Sequence, residues 1–178
     1  SQITSIPKRE LEQVEIVRFA AEGKSLARVN DKVVFVPLTV PGDVVDIQLT
    51  RSRSSFSEGK VLKYHKKSGL RIEPECEHFG KCGGCKWQML DYKTQLEIKQ
   101  KQVLENFQHL GKFEFPTHYP ILPSKNIYFY RNKLEYTFSN RKWLTDYSKE
   151  IDFDDRIMDG LGFHLPKMFD RILDIENC

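Results

Sequence analysis

Residues Glu75–Gln88 read ECEHFGKCGGCKWQ, and the reading of this stretch decides how the chain is organised. Three of the four cysteines sit here, Cys76, Cys82 and Cys85, and the fourth, Cys178, is the last of 178 residues. Gly83 and Gly84 free the backbone between two thiols, so both can face one metal with amide N–H groups near the sulfurs. Three thiols make one corner of a site, and a fourth ligand must come from elsewhere; Cys178 and His78 are the candidates. Spacing leaves zinc, an iron–sulfur cluster, and disulfides or free thiols all open. Zinc sites usually pair two Cys-x2-Cys units, and one is present here; plant-type ferredoxins space their cysteines differently.

The rest of the chain sets the compartment and the class. Hydrophobic content of 39% and charged content of 30% suit a soluble globular protein of one domain or two small ones. No apolar run reaches a membrane-spanning length, and the SQITSIPKRE start has no apolar signal region. A cytoplasmic location is the resulting expectation, where thiols stay reduced and clustered cysteines point to metal or catalysis before disulfides. Net charge is +3, but its distribution is uneven. Residues 51–71, RSRSSFSEGKVLKYHKKSGLR, hold seven Lys/Arg and one Glu, the kind of local excess a phosphate backbone selects. The plain alternative is a solvated strand face.

On the N-terminal side of the loop, residues 12–65 read as five short strands. Glu12–Ala20 alternates roughly until Glu22–Gly23–Lys24 breaks it. Leu26–Val29 and Val33–Val36 flank Asn30–Asp31, a hairpin signal. Val44–Leu49 follows a Pro41–Gly42–Asp43 turn, and Glu58–Tyr64 closes the series. The expected fold is α+β overall, starting with a five-stranded OB-like β-barrel. Beyond the loop the period changes. Tyr92, Leu96, Val103, Phe107 and Leu110 recur at helical spacing over about 91–110, with Asp91 as N-cap, Gly111 as C′ stop and the apolar stripe as core. Leu134, Tyr136 and Phe138 alternate with Glu135, Thr137 and Ser139, a half-buried strand. Leu161–His164 and Ile172–Ile175 read as two more.

The loop CEHFGKCGGCKWQ resembles the cluster loop of the RNA uracil-5-methyltransferases of the RumA type. In that family three cysteines in this order, with a Cys-Gly-Gly-Cys core and a following Gln, hold a [4Fe–4S] cluster. The stretch AAEGKSLARVNDKVVFVPLTVPGDVVDIQL resembles a TRAM domain, an RNA-binding module. YRNKLEYTFS resembles the opening of the family's central domain, and LGFH…ILDIENC the strand pair that delivers the fourth cluster cysteine. The resemblance covers nearly all of residues 10–178 and is most specific in the cysteine loop.

This resemblance implies a TRAM-like barrel over residues 8–67 and a central α+β domain over 68–178, which carries the loop 76–88. It makes Cys76, Cys82, Cys85 and Cys178 the four cluster ligands, and His78 drops out. RNA is the implied partner, 23S rRNA before tRNA, with no membrane and no DNA expected. Arg51, Arg53, Lys60, Lys63, Lys66 and Lys67 are candidate phosphate contacts, and Phe56 a stacking platform. Phe79, Trp87, Arg131 and Lys133 are candidates around the target loop, against the plain alternatives of core aromatics and surface charges. In the family a S-adenosylmethionine-binding domain follows the fourth cysteine and supplies the thiolate that attacks uracil C6. This sequence has no G-x-G-x-x-G and no cysteine to spare, so it reads as an inactive segment of a longer methyltransferase. The cluster then serves as a structural staple. A zinc-stapled RNA-binding adaptor and an electron carrier are the rival readings.

Overall fold

The computed structural model describes residues 9–114, 117–143, 158–166 and 168–178. Part of the acidic C-terminal stretch, residues 144–157, lies outside them. The chain divides into two compact units, residues 1–73 with 86–123, and residues 74–85 with 124–178. This division differs from a boundary at residue 67, because the segment carrying the helix groups with the N-terminal sheet.

The first unit is built on a six-stranded sheet in the order β1-β5-β6-β4-β3-β2. Its strands are β1 (Glu10–Glu15), β2 (Arg18–Phe19), β3 (Lys24–Val29), β4 (Lys32–Pro37), β5 (Val44–Ser52) and β6 (Phe56–Lys66). The first expected strand is thus split in two at Ile16–Val17. Although β1 and β2 stand at opposite ends of the strand order, only those two residues separate them, so the sheet must curl. The hydrogen bonds agree: Ile16 N–H donates to Asp43 O, while Val17 N–H donates to Leu26 O. Asn30 and Asp31 both take positive φ, 49° and 62°, as a two-residue turn between right-twisted strands requires. Gly42, at φ 91°, sits at the third position of a turn closed by Asp43 N–H to Val40 O, with Pro41 before it.

Ile16, Ala27, Val34, Val36, Val45 and Ile47 fill the concave side and are buried almost completely. A polar pin seals one end. The Asp43 carboxylate, fully buried, takes two bonds from Arg71 (Nε 2.9 Å, Nη2 2.6 Å) and one each from Val40 N–H and Ser68 N–H. The Arg71 guanidinium also lies 4.9 Å from the Tyr64 ring centre. Burial is the main cause pushing the Tyr64 hydroxyl above its ordinary pKa. Arg71 then bridges to Leu90, and Ile72 N–H donates to Met89 O, so the chain leaves and returns to this unit at one point.

Helix α1 (Tyr92–Asn106) begins as its sequence dictates, with the Asp91 carboxylate accepting from Thr94 N–H at 2.9 Å. Its far end departs from expectation. No residue of α1 is buried, and the outer end of its apolar stripe is open, with Leu110 79% exposed. Val103, Leu104 and Phe107 line an open groove of about 290 Å³ with Tyr119 and Ile121. The helical period was right, but periodicity says only that a face is apolar, not that something within these residues covers it. The left-handed stop falls on Lys112 (φ 55°), one residue past Gly111.

The second unit carries a three-stranded sheet, β7 (Thr137–Ser139), β8 (Gly160–Leu165) and β9 (Met168–Asp174), all antiparallel. Leu165, Leu173 and Ile175 form its buried cluster, with Cys82, Trp143 and Phe163 packed against it. The expected half-buried strand is shorter and faces the other way. Phe138 is 82% exposed, while Thr137 and Ser139 are half-buried. Phe138 pairs with Leu161 on the apolar face of β8, but that face is filled toward Leu165 and open at the Phe138 end.

Candidate nucleic-acid interface and cysteine cluster

The convex face of the sheet is assembled from rows of directly paired residues, which share a face. One row runs Arg28, Val33, Phe56 across β3, β4 and β6. The next runs Leu26, Phe35, Glu58, Arg51, and a third pairs Lys60 with Gln48. Phe35 and Phe56 meet edge to face, ring centres 5.9 Å apart, at the middle of this surface. Lys24 joins it through an ion pair with Glu58 at 3.3 Å. Two half-buried aromatics ringed by Arg28, Arg51, Lys60 and Lys24 make a surface suited to a nucleic-acid backbone and a stacked base. Lys32 Nζ donates to Ser52 Oγ at 2.9 Å, which adds a cation to the Arg51–Arg53 hairpin end.

The six basic candidates therefore do not form one patch. Arg51 and Arg53 stand at one end of β6, Lys60 and Lys63 along it, and Lys66 and Lys67 at the other end, about 30 Å from the first for eleven extended residues. All six are exposed. Lys63 pairs with Asp46, whose carboxyl is held below its usual range, first by Gln13 N–H and then by His65 at 2.7 Å. Sequence reasoning missed Lys24, Arg28, Lys32 and Phe35. Phe35 was hidden because the run Val33–Val36 is apolar throughout, so its alternation carries no signal; pairing alone turns Val34 and Val36 inward and Phe35 out.

Trp87 packs edge-on to Phe19 with centres 6.4 Å apart, and its buried Nε1 has no hydrogen-bond partner among the described residues. Phe79 is half-buried in the cysteine loop, where its N–H donates to Cys76 O. The two fall in different compact units. Arg131 and Lys133 are exposed in the second unit, and Lys133 pairs with Glu135 at 3.0 Å.

All four cysteines belong to the second unit, and none is in a disulfide. Cys76, Cys82 and Cys85 are half-buried and Cys178 is exposed. Burial and then the neighbouring Cys85 and Cys82 sulfurs push the Cys178 thiol up, while Arg131 pulls it down. The four thiols thus lie in electrostatic range of one another. They are not drawn together tightly: among the described residues no three His, Cys, Asp or Glu side chains converge closely enough to hold a metal ion. The donor chemistry nevertheless fits an iron–sulfur cluster, which takes four thiolates and amide N–H bonds to sulfur. Gly84 N–H already donates to Cys82 Sγ at 3.4 Å. His78 Nε2 is buried with no hydrogen-bond partner among the described residues, 3.5 Å from a Glu77 carboxylate oxygen.

The first unit is a curled β-sheet with a basic, aromatic outer face, and the described elements of the cysteine-bearing unit are the three strands β7, β8 and β9. A family model for the TRAM domain matches residues 8–62. An uncharacterized RNA methyltransferase of Bacteroides thetaiotaomicron is 51% identical over 159 residues, 89% of this chain and 35% of its own. One of Porphyromonas gingivalis is 44% identical over 168 residues, 93% of this chain and 36% of its own. A 23S rRNA (uracil(1939)-C(5))-methyltransferase RlmD of Francisella tularensis subsp. novicida is 38% identical over 122 residues, 68% of this chain and 27% of its own. Among solved structures, the tRNA (uracil-54, C5)-methyltransferase of Pyrococcus abyssi in complex with S-adenosyl-L-homocysteine shares the fold, with a TM-score of 0.52 at 23% identity. It covers 93% of this chain and 32% of its own. Residues 8–62 thus match the TRAM domain, and nearly all of the chain is similar in sequence to proteins named RNA methyltransferases. The chain spans about a third of the length of these relatives. Among the described residues no helix is long and apolar enough to cross a membrane.

Proposed function

We propose that this chain is the RNA-binding and cluster-bearing part of a S-adenosylmethionine-dependent RNA uracil-C5-methyltransferase of the cytoplasm, acting on 23S rRNA before tRNA. The observation that carries the reading is the convex face of the TRAM-matched sheet, where Phe35 and Phe56 meet amid Lys24, Arg28, Arg51 and Lys60. We read this sheet as a five-stranded OB-like barrel whose first strand is kinked at Ile16–Val17, TRAM-like over 8–67. Residues 68–178 are assigned to the iron–sulfur central domain.

A base inside structured RNA must leave its stack before an enzyme reaches it, at a cost of a few kcal/mol. Arg51, Arg53 and Lys60 hold flanking phosphates and Phe56 takes a base face, so part of that cost is met by binding away from the reacting uracil. Lys63, Lys66 and Lys67 contact more distant phosphates. Phe79, Trp87, Arg131 and Lys133 remain candidates near the target loop. Cys76, Cys82, Cys85 and Cys178 would hold a [4Fe–4S] cluster, which supplies a structural crosslink between the loop and the C-terminal strand. The methyl transfer itself is assigned to a part of the parent protein that this chain does not contain.

Binding of a labelled single-stranded RNA at several salt concentrations tests the reading. Arg51→Ala and Lys60→Ala should each flatten the plot of log affinity against log salt by about 0.7. Phe56→Ala should weaken binding by about 1–3 kcal/mol at an unchanged slope. Absence of salt-dependent binding would overturn it. Iron and sulfide on anaerobically purified protein, about four each, separate this reading from the zinc-stapled adaptor, which predicts zinc and no sulfide.

A further inference from the structure

The segment Ser124–Leu134, SKNIYFYRNKL, carries three consecutive aromatics, three cations and no acid. The three aromatics do different things. Tyr128 is half-buried, and its hydroxyl is pushed up by burial and by the nearby Glu75 and Cys85 of the cysteine loop. Phe129 takes φ 53°, the left-handed region that a side chain with a Cβ occupies at a cost and that a bulky aromatic rarely enters. Its ring is 88% exposed, and Tyr130 beside it is 64% exposed.

Two independent observations therefore meet at Phe129. The backbone is strained, and the strain is not repaid by burial of the ring. Glycine would fit this φ without cost, and a solvent-facing position calls for a polar residue. Of the flanking cations Lys133 is paired with Glu135 at 3.0 Å, which leaves Lys125 and Arg131 to suit a polyanion. We propose that Phe129, with Tyr130 beside it, is a stacking platform for an unpaired base of bound RNA. This rests on the RNA-binding reading above and adds a second contact surface, in the cysteine-bearing unit, to that of the sheet.

The test uses Phe129→Gly and Phe129→Tyr in the full chain, with a fluorophore-labelled single-stranded RNA oligonucleotide and a thermal melt of each variant. Phe129→Gly removes the ring and the strain together. It should weaken RNA binding about 5- to 100-fold, as loss of one stacked base does, at an unchanged salt slope and with no fall in melting temperature. Phe129→Tyr should bind as the parent does. If Phe129→Gly binds RNA as well as the parent, the platform is wrong and the sheet interface stands. If its melting temperature falls along with its affinity, the ring is a packing residue, covered by protein, and the proposal is overturned. If the parent chain itself binds no RNA, both readings fail together.

Discussion

The sheet unit and the cysteine unit differ in how much of their order they supply themselves. In the first, six side chains are almost wholly withdrawn from water and a fully buried carboxylate is met by a bidentate arginine and two backbone amides. In the second, the buried hydrophobic residues among those described are Leu165, Ile172, Leu173 and Ile175, and one of the residues packed against this cluster is Cys82. Small cores rarely hold a fold without a staple. Under the cluster proposal, the four thiols would crosslink the unit whose described core is the smaller.

Removing a thiol tests that contrast most severely. Cys82→Ser in protein purified without oxygen should destabilise the second unit by more than about 4 kcal/mol, as loss of a structural metal does. Hydrogen exchange across β8 and β9 should accelerate while β3 and β4 keep their protection. Equal protection in parent and variant would end the staple argument. In the sheet unit the counterpart is Asp43→Ala, which strands the Arg71 cation and two amides; about 3–5 kcal/mol is expected by denaturant titration.

Two glycines sharpen the comparison further. A Cβ on Gly162 would lie 1.8 Å from Leu173 O, so Gly162→Ala must push β8 from β9. On Gly59 it would meet Ile47 Cγ2 at 2.3 Å and Gln48 O at 3.0 Å. The first obstacle is backbone, and the nearest part of the second is the methyl of a core side chain, Ile47. Gly59→Ala should cost about 1–3 kcal/mol and Gly162→Ala more, measured as the shift of each variant's urea midpoint.

The smallest effect concerns acid. The Asp174 carboxyl is held below its ordinary range, first by the Lys142 ammonium and then by Leu161 N–H. A carboxyl lowered in the folded state lends stability above its unfolded pKa and loses it as pH falls through the folded value. That contribution should therefore be complete at neutral pH and fade below about pH 4. Asp174→Asn should remove it, at about 0.2–1 kcal/mol for a pair this exposed. A variant whose stability still falls with acid as steeply as the parent's would show that other carboxyls carry the dependence.

The strand series, the Asn30–Asp31 hairpin, the Pro41–Gly42 turn and the Asp91 cap were legible because each is a local matter of φ, ψ and neighbouring donors. The resemblance to RNA methyltransferases was legible for the same reason, as motifs spaced along one chain. Burial and facing were not. The α1 stripe was rightly periodic yet lies open at its outer end, and Phe138 faces water although its alternation pointed inward, because what covers a face is settled by partners distant in sequence. Phe35 emerged as part of the candidate interface only when pairing with β3 and β6 fixed which side of an all-apolar run turns out. The strain at Phe129 was equally silent, since no residue type announces a positive φ that its side chain disfavours. The sequence by itself determined the elements and the chemistry they carry. Tertiary structure alone decided which residues stand together on a surface, because side-chain neighbours across a sheet are set by register and curl, which no local pattern contains.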